Sequence, residues 1–184
     1  MKALAPLYNC VVAAVLALAT PVFAEDAAKL DDLFQQLQTA TDAEADQITQ
    51  AIWLEWSKSG SPAMDLLLKR GQQAMAAGQP GLAIEHFTAL IDHAPEFAEG
   101  YNARATAYFQ TGDLGPSVSD IARTLSLNPR HFGALSGLGM IFEELGEPEK
   151  ALEVYKAALA INPHLTDVRD AVKRLETSLG GQDL

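Results

Sequence analysis

Apolar side chains recur at three- and four-residue steps along most of this chain, in short segments that end at Gly or Pro. That period puts them on one face of an α-helix and predicts a succession of amphipathic helices. The breaks are themselves periodic. Pro95, Pro129 and Pro163 are 34 residues apart. The same step relates Gly71, Ala105 and Gly139, then Gly78, Gly112 and Gly146, then Phe87, Ile121 and Tyr155, and also Ala83, Ser117 and Ala151. Self-similarity at a fixed period of this size marks a repeat architecture, in which each unit buries its apolar face only against its neighbours.

Each recurrent position has a physical task. A small residue at 71, 105 and 139 lets two helices cross closely, and Ala83 and Ala151 do the same on the partner helix. Phe87 and Tyr155 are large enough to fill the space between them. The glycines at 78, 112 and 146 stop the first helix, because Gly accepts the left-handed backbone of a helix C-terminus. Pro80 and Pro148 open the second helix, where a missing N–H costs nothing. Asp113 is the expected N-cap of the middle repeat, with Pro116 tolerated in its first turn.

Over residues 64–165 this pattern resembles the tetratricopeptide repeat (TPR) family, whose unit is a helix–turn–helix. The third copy has Leu138, Gly139, Phe142, Ala151, Tyr155, Ala158 and Pro163 in the family's places. The second copy departs at Ser117 and Ile121, and the first has Ala74 where an aromatic residue is usual. These departures predict looser packing within the same fold. The resemblance implies an all-α TPR solenoid, a right-handed superhelix of repeats over 64–97, 98–131 and 132–165.

The flanks extend the pattern. Residues 166–184 read as a capping helix and a fraying tail, with Val168, Ala171, Val172 and Leu175 on one face. Residues 25–63 read as an N-terminal helical pair. Leu30, Leu33, Phe34 and Leu37 mark its first helix, and Ile48, Ile52, Trp53 and Trp56 mark the second, which begins at Thr41-Asp42. The 34-residue step sets Trp53 opposite Phe87 and Leu33 opposite Leu67, which predicts a degenerate repeat capping the first one. Leu37 stands, however, where the crossing wants a small residue. Trp53 and Trp56 share a helix face and are either a buried seam against the first repeat or an exposed aromatic patch for a partner.

Residues 1–24 carry Lys2, an apolar run from Val11 to Ala19, Pro21, and the small-residue ending Val22-Phe23-Ala24. This is the pattern of a cleavable secretory signal peptide. The run is well short of the ~20 apolar residues a membrane span needs. Cys10 precedes the apolar run, so a lipidated cysteine is rejected. Cleavage after Ala24 removes the sole cysteine, which suits an oxidising compartment, and the expected location is the bacterial periplasm.

Charge narrows the partners. The 184 residues hold 24 Asp+Glu against 13 Lys+Arg, a net charge of −11. Binding to nucleic acid or to an anionic membrane needs clustered basic residues and is not expected. No integral membrane segment is expected after leader cleavage. Residues 25–63 are the most acidic part, with eight carboxylates against Lys29 and Lys58. The histidines 86, 93, 131 and 164 have no metal-ligand spacing, and the acidic run Glu143, Glu144, Glu147 and Glu149 lacks the Asp/Asn-rich loop of a calcium site. No nucleophile elbow, P-loop or dinucleotide fingerprint is present. No catalytic residue, metal or cofactor is expected, and an enzyme is not.

The role left is protein binding. In repeats of this kind the first helix of each pair lines a concave wall, and the corresponding positions here are Leu68, Gln72 and Met75, then Asn102, Thr106 and Phe109, then Ser136, Met140 and Glu143. They either form a groove for an apolar or amphipathic peptide or helix, or lie buried between repeats. Some family members clamp a peptide C-terminus with basic and amide groups on this wall. Leu68, Gly133 and Gly137 occupy the corresponding places here, so that specificity is not carried over. The leading expectation is a periplasmic, non-enzymatic scaffold that binds a protein or peptide partner, with envelope-complex assembly as one setting. A self-associating homo-oligomer and an accessory lobe of an envelope enzyme complex are the alternatives.

Overall fold

The computed structural model describes residues 21–180, with side chains from residue 27 onward. The expected leader, residues 1–24, lies outside them except for its last four residues, and the tail lies outside from residue 181. The described chain is a series of helices: α1 (Pro21–Thr39), α2 (Asp42–Trp56), α3 (Pro62–Ala76), α4 (Pro80–His93), α5 (Ala98–Thr111), α6 (Leu114–Leu127), α7 (Phe132–Glu144), α8 (Pro148–Ile161) and α9 (Thr166–Gly180). No strand occurs among the described residues. The pairs α3–α4, α5–α6 and α7–α8 are stacked helical hairpins, and α9 packs on α8. This is the expected all-α solenoid.

The boundaries follow from local chemistry. Gly78, Gly112 and Gly146 have φ of +68°, +79° and +71°, the left-handed backbone that ends the first helix of each pair. Pro80 and Pro148 occupy the first helical positions. Asp113 precedes α6, but its carboxylate accepts from the Thr111 hydroxyl (2.6 Å) instead of capping the helix. Thr41 precedes α2 and donates its backbone N–H to the Glu44 side chain (2.9 Å), half of a capping box.

The small-and-large rule holds in the core. A Cβ on Gly71 would run into the Phe87 ring, and one on Gly139 would run into the Tyr155 ring. Phe87 is 1% exposed and Tyr155 3%. The middle repeat solves the crossing differently. Buried Ser117 donates to the Ala105 carbonyl (2.8 Å), so the hydroxyl is satisfied where Ala stands in the other repeats. Arg104 then ties α5 to α6 through two bonds to Asp120 (2.7 and 2.8 Å), with its guanidinium over the Tyr101 and Tyr108 rings. At the far end, Val168 and Leu175 of α9 are buried with Tyr155 and Ala158, which closes the last repeat.

The N-terminal pair departs from expectation. It forms as a helical hairpin, yet it does not stack on α3–α4 as a further repeat. Its apolar seam instead covers the turns before α7 and α9. Phe34, Leu37, Ala45, Ile52 and Trp56 form one cluster with Phe132, edged by Ile161 and Leu165. Leu37 is fully buried where a close crossing requires a small side chain, so α1 and α2 cannot adopt the tight pairing of a repeat. The tryptophans do form a seam, but against the start of the third repeat.

Candidate functional site

The inner wall is built by the first helices of successive pairs. Side chains four apart on α5 and α7 share a face, and the two faces meet over a cleft. Asn102, Thr106 and Phe109 of α5 come together there with Ser136 and Met140 of α7. The floor is apolar: Ala105, Ile121 and Ile141. The resulting cavity, about 210 Å³, opens to solvent. Its cause is in the sequence. Phe87 and Tyr155 fill the corresponding spaces in the flanking repeats, whereas Ile121 is too short to do so. Gly137 leaves the rim bare, with room for a Cβ at 3.7 Å from Ile121.

Gln72 and Met75 line a second, wider cleft of about 550 Å³ nearer the N-terminus, shared with Asn102, Thr106 and Trp53. Seven of the nine residues expected on the groove therefore border solvent-open clefts. Two do not serve in this way. Leu68 is 3% exposed and packs with Phe87, Leu90 and Ala103, because its apolar side chain turns into the α3–α4–α5 core. Glu143 is a strut: Tyr155 Oη donates to it (2.9 Å) and Arg174 of α9 pairs with it at 2.7 Å. The Arg174 hydrogen bond, helped by Tyr155, holds the Glu143 carboxyl below its ordinary range. Burial and the Glu143 hydrogen bond push the Tyr155 phenol well up.

Sequence reasoning missed the residues that seat the N-terminal hairpin beside this wall. His131 precedes α7 and is fully buried. Its Nδ1 accepts the Ala134 N–H (3.0 Å), so Nε2 carries the proton and donates to Glu99 (3.0 Å). Trp56 stacks on this ring at 4.3 Å, and Trp53 meets it edge-on at 5.3 Å. Trp53 also lies so close to Gly133 that a Cβ there would be 2.6 Å from its indole. Around this aromatic centre the hairpin meets polar groups. Arg130 pairs with Asp31 (2.7 Å) and covers the Phe34 ring (4.4 Å). Gln38 donates to the Ile161 carbonyl (2.7 Å), and Asn162 donates to Thr49 (3.2 Å). His164 faces Asp42 (2.7 Å) and the Leu37 carbonyl (3.1 Å). The signals available were Gly133 and Gly137, a bare stripe on an inner helix, and the acidic excess of residues 25–63.

No group of three or more His, Cys, Asp or Glu that could hold a metal occurs among the described residues, and no described helix is long and apolar enough to cross a membrane.

Family models described as tetratricopeptide repeat match residues 68–115 and 133–165. A TPR repeat-containing protein of Rhizobium etli is 35% identical over 154 residues, covering 83% of this chain and 76% of that protein. The chain belongs to the tetratricopeptide repeat family. Hsp70-Hsp90 organizing protein 1 of Glycine max is 27% identical over 92 residues, and the aligned TPR segment spans only 16% of that protein's length. Among solved structures, the first TPR of Spaghetti (RPAP3), bound to an HSP90 peptide, superposes with a TM-score of 0.61 at 23% identity, covering 64% of this TPR chain and 93% of that one. MamA superposes with a TM-score of 0.60 at 22% identity, covering 87% and 86%. These likenesses establish the TPR fold of the chain.

Proposed function

We propose that this TPR protein is a non-catalytic interaction module of the bacterial periplasm, which holds a segment of a partner protein against the α5–α7 wall. The observation that carries the reading is the solvent-open apolar cavity floored by Ile121, framed by Asn102, Thr106 and Ser136 and edged by Met140, which is 49% exposed. A cavity of that size accepts one large apolar side chain, the amide and hydroxyl groups fix the backbone beside it, and flexible Met140 adapts to what enters. The HSP90 peptide held by the RPAP3 domain is support for peptide capture on this fold. The leader pattern of residues 1–24 supports export, and an envelope complex is the setting that follows from it.

The test is a photo-crosslinking amino acid placed at Thr106, facing the cleft, or at the exposed Ser119 of α6, outside it. In intact cells a discrete adduct forms from position 106 and not from 119. Equal adducts from both, or none, overturn the groove. N-terminal sequencing of the protein from fractionated cells tests export: Glu25 as the first residue of the periplasmic form is expected, and retention of Met1 contradicts it.

A further inference from the structure

The N-terminal hairpin touches a part of the fold it does not follow in sequence. It passes the first repeat and seats its aromatic face on His131 and Phe132, with its acidic edge toward Arg130, His164 and Arg169. The seat thus displays, in its own occupant, the chemistry it accepts. We propose that the α1–α2 hairpin is a removable occupant, and that the seat takes in its place a partner's helical segment of the same kind, with carboxylates flanking a pair of aromatic anchors. This rests on reading the inner wall as the partner-binding face, because Trp53 borders both open clefts on that wall that run under the hairpin.

Three observations make the hairpin removable. Its ionic contacts lie at the rim, where Asp31 is 66% exposed and Asp42 73%, so these charges are already solvated and lifting the hairpin strands neither of them in the interior. Its fit on the wall is loose, since a cleft of about 440 Å³ separates Asp46, Thr49 and Trp53 from Ser136, Met140 and Val168. The Ser57–Ser61 link turns at Gly60 (φ +79°) and is tied to α3 where Ser59 donates its N–H and hydroxyl to Asp65 (2.9 and 2.5 Å), so the hairpin pivots ahead of that anchor. What holds the hairpin is the buried cluster of Phe34, Leu37, Ile52 and Trp56 with Phe132, together with the stack of Trp56 on His131, and buried contacts of that kind are where an interface concentrates its binding energy. The same contact is available to any partner that brings two aromatic side chains on one helix face. Charge favours an acidic partner, because Arg130 and Arg169 stand at the rim of the seat, while its acidic groups are Asp167 on the pocket edge and Glu99, which is buried and taken up by His131.

Both tryptophans of the chain lie in the hairpin, against His131 and Phe132, so indole fluorescence reports the seating of the lid, while far-UV circular dichroism is dominated by the more numerous helices of the solenoid. In a urea titration of the full chain, the fluorescence transition is expected to precede the loss of helix, and the Asp31→Asn/Asp42→Asn variant should move the first transition down while leaving the second in place. Coincident transitions in both proteins would mean the hairpin is a fixed part of the core, and the proposal fails. The second arm uses a labelled synthetic peptide spanning residues 27–58 as the probe. Saturable binding at least fivefold tighter to the Asp31→Asn/Asp42→Asn chain than to wild type, and lost in Arg130→Glu, is the expected result. No binding to a chain whose lid has been shown to open overturns the docking surface. A stable dimer by light scattering, dissociated by the same substitutions, would seat the hairpin of a second copy there and overturn the outside partner. Neither arm needs a groove ligand, so both are independent of the crosslinking at Thr106.

Discussion

At Gly139 one methyl group decides whether two helices can cross. A Cβ there meets the Tyr155 ring, and Tyr155 cannot swing aside cheaply because Glu143 holds its hydroxyl. Gly139→Ala is therefore expected to cost roughly 1–3 kcal/mol through overpacking, read as a lower urea midpoint by circular dichroism. An unchanged midpoint would mean the crossing is looser than it looks. Ile121 presents the opposite case. Its side chain is 3% exposed yet leaves a cavity of about 210 Å³ beside it. Ala105 stands opposite it where the flanking repeats have Gly71 and Gly139, so a ring at 121 fits only with that methyl removed. Ala105→Gly/Ile121→Phe reproduces the flanking pair and should fill the space, with a helix-interior Gly costing about 1 kcal/mol against the gain in packing. The double substitution should abolish crosslinking from Thr106, and a folded protein that still captures its partner would place the binding contact elsewhere.

Between elements, charged groups do the joining. Asp120 is 5% exposed and takes both bonds from Arg104. Asp120→Ala leaves that guanidinium without its carboxylate between α5 and α6, and a loss of about 3 kcal/mol is expected, measured by urea titration. The hairpin has an acid-sensitive joint. Glu55, on α2, is buried and accepts from Lys29 of α1 and from Lys58 beyond its end. Those hydrogen bonds hold its carboxyl below the ordinary range. Asp42 is likewise lowered, chiefly by its bond from His164 and then by Arg169. A depressed carboxyl contributes its stability in full above its unfolded value, ~4 for both types, and loses it as pH falls through the folded value. Acidification from about pH 5 to about pH 2 should thus loosen the hairpin, within itself at Glu55 and against the solenoid at Asp42, seen as a change in indole fluorescence that Glu55→Gln removes in part. A fluorescence signal flat over that range, in a chain still helical, would show that neither carboxyl matters to the joint.

Over the whole molecule, stability and recognition separate. A solenoid is held by contacts between neighbours, so a side chain at the groove edge can be removed without unfolding the rest. Met140 is half exposed, and Met140→Ala should change stability by less than about 0.5 kcal/mol. Phe109 is partly buried against Ile121 and Ile141, so Phe109→Ala should lower stability measurably. Comparing the two variants for partner capture divides the roles. Capture lost in Met140→Ala, with its melting curve intact, marks a groove contact. Capture unaffected in both, with stability lost in Phe109→Ala alone, marks a core.

The sequence by itself determined the repeats. Gly139 and Tyr155, Gly112 at its left-handed turn, and Pro148 at the start of α8 each act within one unit or between adjacent units, so a 34-residue pattern carries them completely. It also carried most of the inner wall, because Asn102, Thr106 and Ser136 follow from helix phase. Leu68 and Glu143 escaped that rule, since burial and pairing depend on what each side chain meets: an apolar core for one, Arg174 of α9 for the other. The hairpin's position was decided only by the tertiary structure. Leu37 showed that the pair would make a poor repeat, but nothing local says that Trp56 will stack on a histidine 75 residues further along. That contact joins segments with no shared period, and its energy comes from aromatic and charged surfaces that exist only once the solenoid has brought the turns before α7 and α9 side by side.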